Sequence, residues 1–189
     1  AGLITYMRTD SVNVAQSAIL ETRDYISKHY GAEFLPKKPR VFSKKIKAAQ
    51  EAHEAIRPTS INRVPKTLKQ FLTPNQFKIY QLIWQRMAAS QMAAAIFSVT
   101  TVDIEATNTL SQTSYLFRAQ SSINTFPGFT NIYTEGQDEE VKTELNPLPS
   151  LNEAEKLELI KLEDEQHFTQ PPSRFTEATL IKILEQYGI

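Results

Sequence analysis

The sequence predicts an α+β chain: a helical first half, a mostly antiparallel β segment, and a return to helix. Three observations carry this. Apolar residues recur at helical spacing up to about Ala93. Near Ala95 the pattern changes to alternation, and from Thr176 to Tyr187 helical spacing returns.

The elements follow in order. Val14, Ala18, Thr22, Ile26 and Tyr30 fall four apart with Ile19 beside them, which predicts a helix from Asp10 to Tyr30. Asn13 and Gln16 have the spacing of a capping box, and Gly31 closes the helix. Two prolines make Phe34 to Pro39 a loop. Lys44 to Ile56 reads as a helix stopped by Pro58. The clearest helix runs from Pro74 to about Met92, with Thr73 as cap, proline in the first position and Gln76 completing the box. Its stripe of Phe77, Tyr80, Trp84, Met87 and Ala88 reads as core rather than a base-stacking platform. Phe97, Val99, Thr101 and Asp103 then alternate with Ser98, Thr100, Val102 and Ile104, as in a strand. Ser114 to Gln120, Ile123 to Tyr133 and Leu157 to Leu162 read as further strands, with a bend at Pro127-Gly128. In the last helix Leu180, Ile183, Leu184 and Tyr187 share a face, and Gly188 stands in the capping place.

With 189 residues the chain can bury a core as one large domain or two small ones. It has no cysteine, hence no disulfide framework or thiolate metal site. No apolar run reaches membrane-spanning length. The formal net charge is zero, which argues against a uniformly basic nucleic-acid binder. The charges are nevertheless segregated. Lys37 to Lys69 holds ten basic residues against two acidic ones, and Glu135 to Glu165 holds eleven acids against three lysines. A basic stretch can meet phosphate, and an acidic one should face away from it.

The first candidate chemistry lies in Gly2-Leu3-Ile4-Thr5-Tyr6-Met7-Arg8-Thr9-Asp10-Ser11. A phenol is protonated at neutral pH and is a poor nucleophile. A cation beside it favours the phenolate and also neutralises a phosphate. Tyr6 and Arg8 are two apart, so an extended backbone points both the same way. Most Tyr-x-Arg triplets are ordinary strand faces, so context decides.

That context is three ordered blocks. The Gly2–Ser11 segment resembles the active-site tyrosine segment of bacterial type IA DNA topoisomerases. Gln50-Glu51-Ala52-His53-Glu54-Ala55-Ile56-Arg57-Pro58 is similar to the family's histidine motif, and Gln166 to Ala178 to the segment leading to the gate-closing helices. The resemblance spans nearly the whole chain and is weakest from Ile104 to Leu148.

The resemblance implies a parent enzyme that relaxes negatively supercoiled DNA. Tyr6 would cut one strand and hold its 5′ end as a phosphotyrosine, and religation would need no ATP. Arg8 would bind the scissile phosphate. His53 would hydrogen-bond that phosphate or relay a proton. Thr5, Thr9 and Asp10 would support these groups, with a helix-capping role for Asp10 an equally good account. For Arg57 a DNA contact and a salt bridge to Glu54 or Glu51 stand level. His29 and His167 are left as structural. The implied organisation is a helical part of the tyrosine domain, winged-helix-like, over 1–93, a β-rich arch over 94–163, and the start of a helical domain over 164–189. The chain then reads as an excised piece, inactive alone, with Mg2+ bound outside it by a Toprim domain. A single-stranded DNA segment would be the partner, the parent a monomer, and the setting cytoplasmic and nucleoid-associated. One departure stands out: Ala154-Glu155 occupies a turn where the family commonly has Gly-Asp, so another turn geometry is expected there. The competing readings are a noncovalent single-stranded DNA-binding module and a structural interaction domain.

Overall fold

The computed structural model describes residues 2–8, 11–42, 53–108, 110–134 and 148–188. Four α-helices and one two-stranded sheet are defined among them: α1 Gln16–His29, α2 Pro65–Leu68, α3 Pro74–Ser90, β1 Ile96–Thr107, β2 Ser114–Phe126 and α4 Glu177–Tyr187. The chain divides into two compact units, Ala1–Ser98 with Ile123–Thr134, and Val99–Ser122 with Glu135–Ile189.

The first unit is built on α1 and α3. α1 buries Ala18, Ile19, Thr22, Tyr25 and Ile26, while Lys28 pairs outward with Asp24 at 2.6 Å. Its N-terminus differs from expectation. Ala15 is the capping residue, and no side chain of the Asn13–Gln16 pair caps it. α3 has the capping box read from the sequence, with Thr73 and Gln76 exchanging bonds at 3.4 and 3.0 Å. It buries Tyr80, Trp84, Met87, Ala88 and Ala89. Tyr25 meets Trp84 edge-on at 5.6 Å between ring centroids, the arrangement the ring quadrupoles favour. Tyr25, Tyr80, Trp84, Met87 and Ala88 form one cluster with Ala18 and Ile61, flanked by Leu3, Ile4, Val64 and Leu72. Each large side chain so enclosed contributes about 1.5–3 kcal/mol against leaving it in water.

Past α3, Gln91 is fully buried, and its amide closes both ways on the Arg40 backbone at 3.0 and 3.3 Å. Gly128 has φ +50°, and a Cβ there would stand 2.5 Å from Ala93 O and Ala94 C. The backbone can pass that close only without a side chain. Here the expectation is corrected. Residues 123–126 belong to β2, and Gly128–Asn131 is a turn of 3-10 helix rather than strand.

β1 and β2 form one antiparallel hairpin. Its register is marked by Thr125 Oγ1 donating to Ile96 O at 3.1 Å, by Arg118 forked on Asp103 at 2.6 and 2.9 Å, and by Asn108 N–H on Thr113 O at 2.9 Å. Val102, Ile104 and Ala106 are half-buried, and Asp103 and Glu105 between them are exposed, as alternation requires.

In the second unit, the region 157–162 predicted as a strand has no partner strand and is not one. The turn at Asn152–Glu155 keeps left-handed geometry: Ala154 has φ +59°. Alanine there occupies a conformation that favours glycine. α4 has a reciprocal Thr176–Thr179 cap and ends at Gly188 with φ +75°, as read. The predicted helix from 44 to 56 lies outside the described residues up to 52, and residues 53–56 are not helical.

Candidate active site

The tyrosine and histidine segments are two short extended strips that zip together. Ile4 and Pro58 form an antiparallel bridge. Thr5 N–H donates to Arg57 O at 2.9 Å, and Thr59 N–H donates to Leu3 O at 3.0 Å. The Thr5 hydroxyl donates to Ala55 O at 2.7 Å and accepts the Arg57 N–H at 3.0 Å. Thr59 Oγ1 donates to Gly2 O at 3.0 Å. Thr5 thus stitches the two motifs.

Beyond the zip the tyrosine segment turns. Arg8 N–H donates to Tyr6 O at 3.0 Å, a three-residue turn about Met7. The backbone is therefore not extended from 6 to 8, and the alternation argument for Tyr6 and Arg8 does not apply. Tyr6 is 77% exposed, so its hydroxyl is open to a macromolecular substrate. Arg8 Nη1 lies 3.4 Å from His53 Nε2. A guanidinium only donates, so this contact is a hydrogen bond when Nε2 carries no proton. The structure brings Arg8 and His53 together although 45 residues separate them. Thr9, Asp10 and Glu51 lie outside the described residues.

Arg57 is engaged. Its Nε and Nη2 fork onto Glu54 at 2.7 and 3.0 Å, and Nη1 donates to Pro58 O at 2.9 Å. Its side chain is 13% exposed, so of the two readings the salt bridge is the one the geometry supports. The four-residue helical spacing between His53 and Arg57 does not hold, because this stretch is not helical and bends at Ile56. Glu54 also accepts the N–H of Ala15, the residue just before α1, at 2.8 Å. Burial pushes the Glu54 carboxyl up, but the Arg57 and Ala15 hydrogen bonds and the Arg57 charge outweigh it and hold it below the usual range.

The histidine segment continues into residues 59–64, pinned from behind. Ser60 Oγ and Asn62 Nδ2 donate to Glu21 at 2.5 and 2.8 Å. Trp84 Nε1 donates to Ile61 O at 2.8 Å, and the Tyr80 hydroxyl donates to Arg63 O at 2.6 Å. Burial pushes the Tyr80 phenol up, against a smaller opposing pull from Arg63. Thr59, Ser60, Glu21, Tyr80 and Trp84 were not singled out for the site by sequence. The available signal was that buried Tyr and Trp need an acceptor for their polar ends. Of the two histidines read as structural, His29 stacks on Tyr25 at 4.2 Å and His167 pairs with Glu165 at 3.2 Å.

Comparison with known proteins bears on this arrangement. The family described as DNA topoisomerase matches residues 1–189. DNA topoisomerase 1 of Xylella fastidiosa (strain Temecula1 / ATCC 700964) is 47% identical over all of this chain, and that of Rickettsia bellii (strain RML369-C) is 46% identical, also over all of it. The chain spans 23% of the length of each of these relatives. Full-length topoisomerase I of Thermotoga maritima superposes with a TM-score of 0.67 at 27% identity, over 98% of this chain and 28% of that one. A match along the whole chain, at this identity and with a common fold, means that the chain belongs to the bacterial type IA DNA topoisomerase family.

Proposed function

We propose that this chain carries the strand-cutting residues of a type IA topoisomerase, with Tyr6 as nucleophile. The observation that carries the reading is the zip between residues 2–5 and 57–59, which sets Arg8 against His53 beside the exposed Tyr6. The Tyr6 oxygen attacks a backbone phosphorus, forming a Tyr–O–P bond and breaking the bond to the 3′ oxygen. The 5′ phosphate stays on Tyr6 and the 3′ hydroxyl departs. Arg8 holds the phosphate and offsets its developing charge. His53 receives the phenol proton and passes one to the departing 3′ oxygen, and the transfers reverse on religation, a task suited to an imidazole. The ester conserves the bond, so religation needs no nucleotide.

The parent's substrate is a single-stranded segment of negatively supercoiled DNA, and the parent works as a monomer at the nucleoid in the cytoplasm. Residues 1–93, 94–163 and 164–189 correspond to tyrosine-domain, arch and following helical parts. No helix among the described residues is long and apolar enough to cross a membrane. Among the described residues no three His, Asp or Glu side chains converge where a metal could sit, so they do not fit a magnesium site. The magnesium that the family resemblance implies would be held outside this chain. The chain alone does not relax supercoiled DNA.

The test uses a full-length topoisomerase carrying this chain. Incubation with single-stranded DNA and denaturation should leave a protein–DNA ester at the 5′ end. Tyr6→Phe should abolish it while noncovalent, salt-sensitive DNA binding survives. An undiminished ester in Tyr6→Phe refutes the reading.

A further inference from the structure

Residues 53–55 are gripped from two sides. Ala55 O accepts the Thr5 hydroxyl on the tyrosine side, while Ala55 N–H donates to Asn13 O at 2.7 Å on the α1 side. Between them Glu54 closes three bonds with two oxygens. Oε1 takes the Ala15 N–H at 2.8 Å and Arg57 Nε at 2.7 Å, and Oε2 takes Arg57 Nη2 at 3.0 Å. Arg57 in turn lends its backbone to the zip, through its own N–H and carbonyl on Thr5. His53 is the residue directly before Glu54, so it stands at the edge of this bonded stretch.

We infer that Glu54, with Arg57, is a positioning residue for strand cleavage: it ties the start of α1 to the tyrosine–histidine zip and so sets His53 against Arg8. This inference rests on the catalytic reading proposed above. A carboxylate is required because the ligands are all donors: one backbone N–H and two guanidinium N–H groups. A glutamine would present an NH2 group to one of them, leaving two donors face to face. A fork of this kind fixes direction as well as distance, which a lysine in place of Arg57 cannot do. The tolerance is narrow, since displacement by about 1 Å of a group that serves the chemistry costs up to roughly 100-fold in rate.

The test is a double-mutant cycle in a full-length topoisomerase carrying this chain, reading single-turnover formation of the protein–DNA ester, DNA affinity and thermal midpoint for each variant. Glu54→Gln should slow ester formation about 10- to 100-fold with DNA affinity changed less than about threefold. In a His53→Ala background Glu54→Gln should slow it no further, because the residue it positions is gone. Arg57→Lys should copy Glu54→Gln. A role in folding alone would lower the thermal midpoint in both backgrounds and slow ester formation by the same factor in both, which overturns the inference. So does a normal cleavage rate in Glu54→Gln, or in His53→Ala, since then nothing is being positioned. A Tyr6→Phe control separates the two levels. Ester lost in Tyr6→Phe with independent Glu54 and His53 effects removes only the positioning role. Ester retained in Tyr6→Phe removes the catalytic reading and this inference with it.

Discussion

Replacing Trp84 by phenylalanine should weaken the support beneath the histidine segment by an amount that can be worked out. Trp84 is 5% exposed and donates from Nε1 to Ile61 O at 2.8 Å, in a place where Ile61 itself is 2% exposed. Phenylalanine has no donor, so a buried carbonyl loses its partner at a cost of about 1–3 kcal/mol. The smaller ring leaves roughly 40 Å3 of void, which at about 24 cal/mol per Å3 adds about 1 kcal/mol. The total is about 2–4 kcal/mol. Tyr80→Phe is the near-isosteric comparison: it removes only the hydroxyl on Arg63 O and should cost about 1–1.5 kcal/mol. Urea unfolding should be followed by circular dichroism, because Trp84 is the chain's one tryptophan and its fluorescence leaves with it. The midpoint should fall with an unchanged slope. A loss below about 0.5 kcal/mol for Trp84→Phe, or a larger loss for Tyr80→Phe, would mean that the Ile61 carbonyl does not depend on this bond.

Gly128→Ala forces a methyl to within 2.5 Å of the 93–94 backbone at φ +50° and should cost about 2–4 kcal/mol in urea unfolding. Gly188→Ala, at φ +75° with nothing within 4 Å, should cost about 1 kcal/mol, and equal costs would show that the close approach is not what matters. Ala154→Gly relieves a left-handed alanine at φ +59° and should raise hydrogen-exchange protection of the Glu155 amide roughly twofold to fivefold; lower protection counts against the strain. Glu54 is held below its ordinary value of 4.5, so it stabilises the fold fully above about that pH and loses the contribution as pH falls through its lower folded value. The gap in thermal midpoint between wild type and Glu54→Gln should be constant from pH 7 to 5 and narrow toward pH 3, whereas a gap that widens on acidification contradicts the assigned sign.

Features set by neighbours in sequence were legible without a structure. The Thr73-Pro74-Gln76 cap and the stop at Gly188 are decided within a few residues. The burial of Tyr80, Trp84 and Met87 follows from one helix's periodicity. What escaped was settled at a distance. Asn13 does not cap α1; the helix starts after Ala15, whose N–H goes to Glu54, 39 residues beyond it. Leu157 to Leu162 has apolar residues at strand spacing but no second strand to pair with among the described residues, and spacing alone cannot supply one. The strand assigned to 123–133 was cut short by the close pass of Gly128 under Ala93, which no local pattern encodes. For the site, two motifs named the candidate residues, but the zip through Thr5 and the turn at Met7 that undoes simple alternation came only from coordinates.

The zip also says something about the order in which the site comes into being. Its hydrogen bonds join residues 50 to 57 positions apart. Bringing such distant pieces of a free chain together costs about 3.5 kcal/mol in loop closure before any bond is made. The bonds through Thr5 and Thr59 offset that cost, and they form against a segment that Glu21, Tyr80 and Trp84 hold from α1 and α3. Arg8 therefore meets His53 only where the strip and the histidine segment are joined, and in an unfolded chain the two side chains stand 45 positions apart with nothing to hold them together.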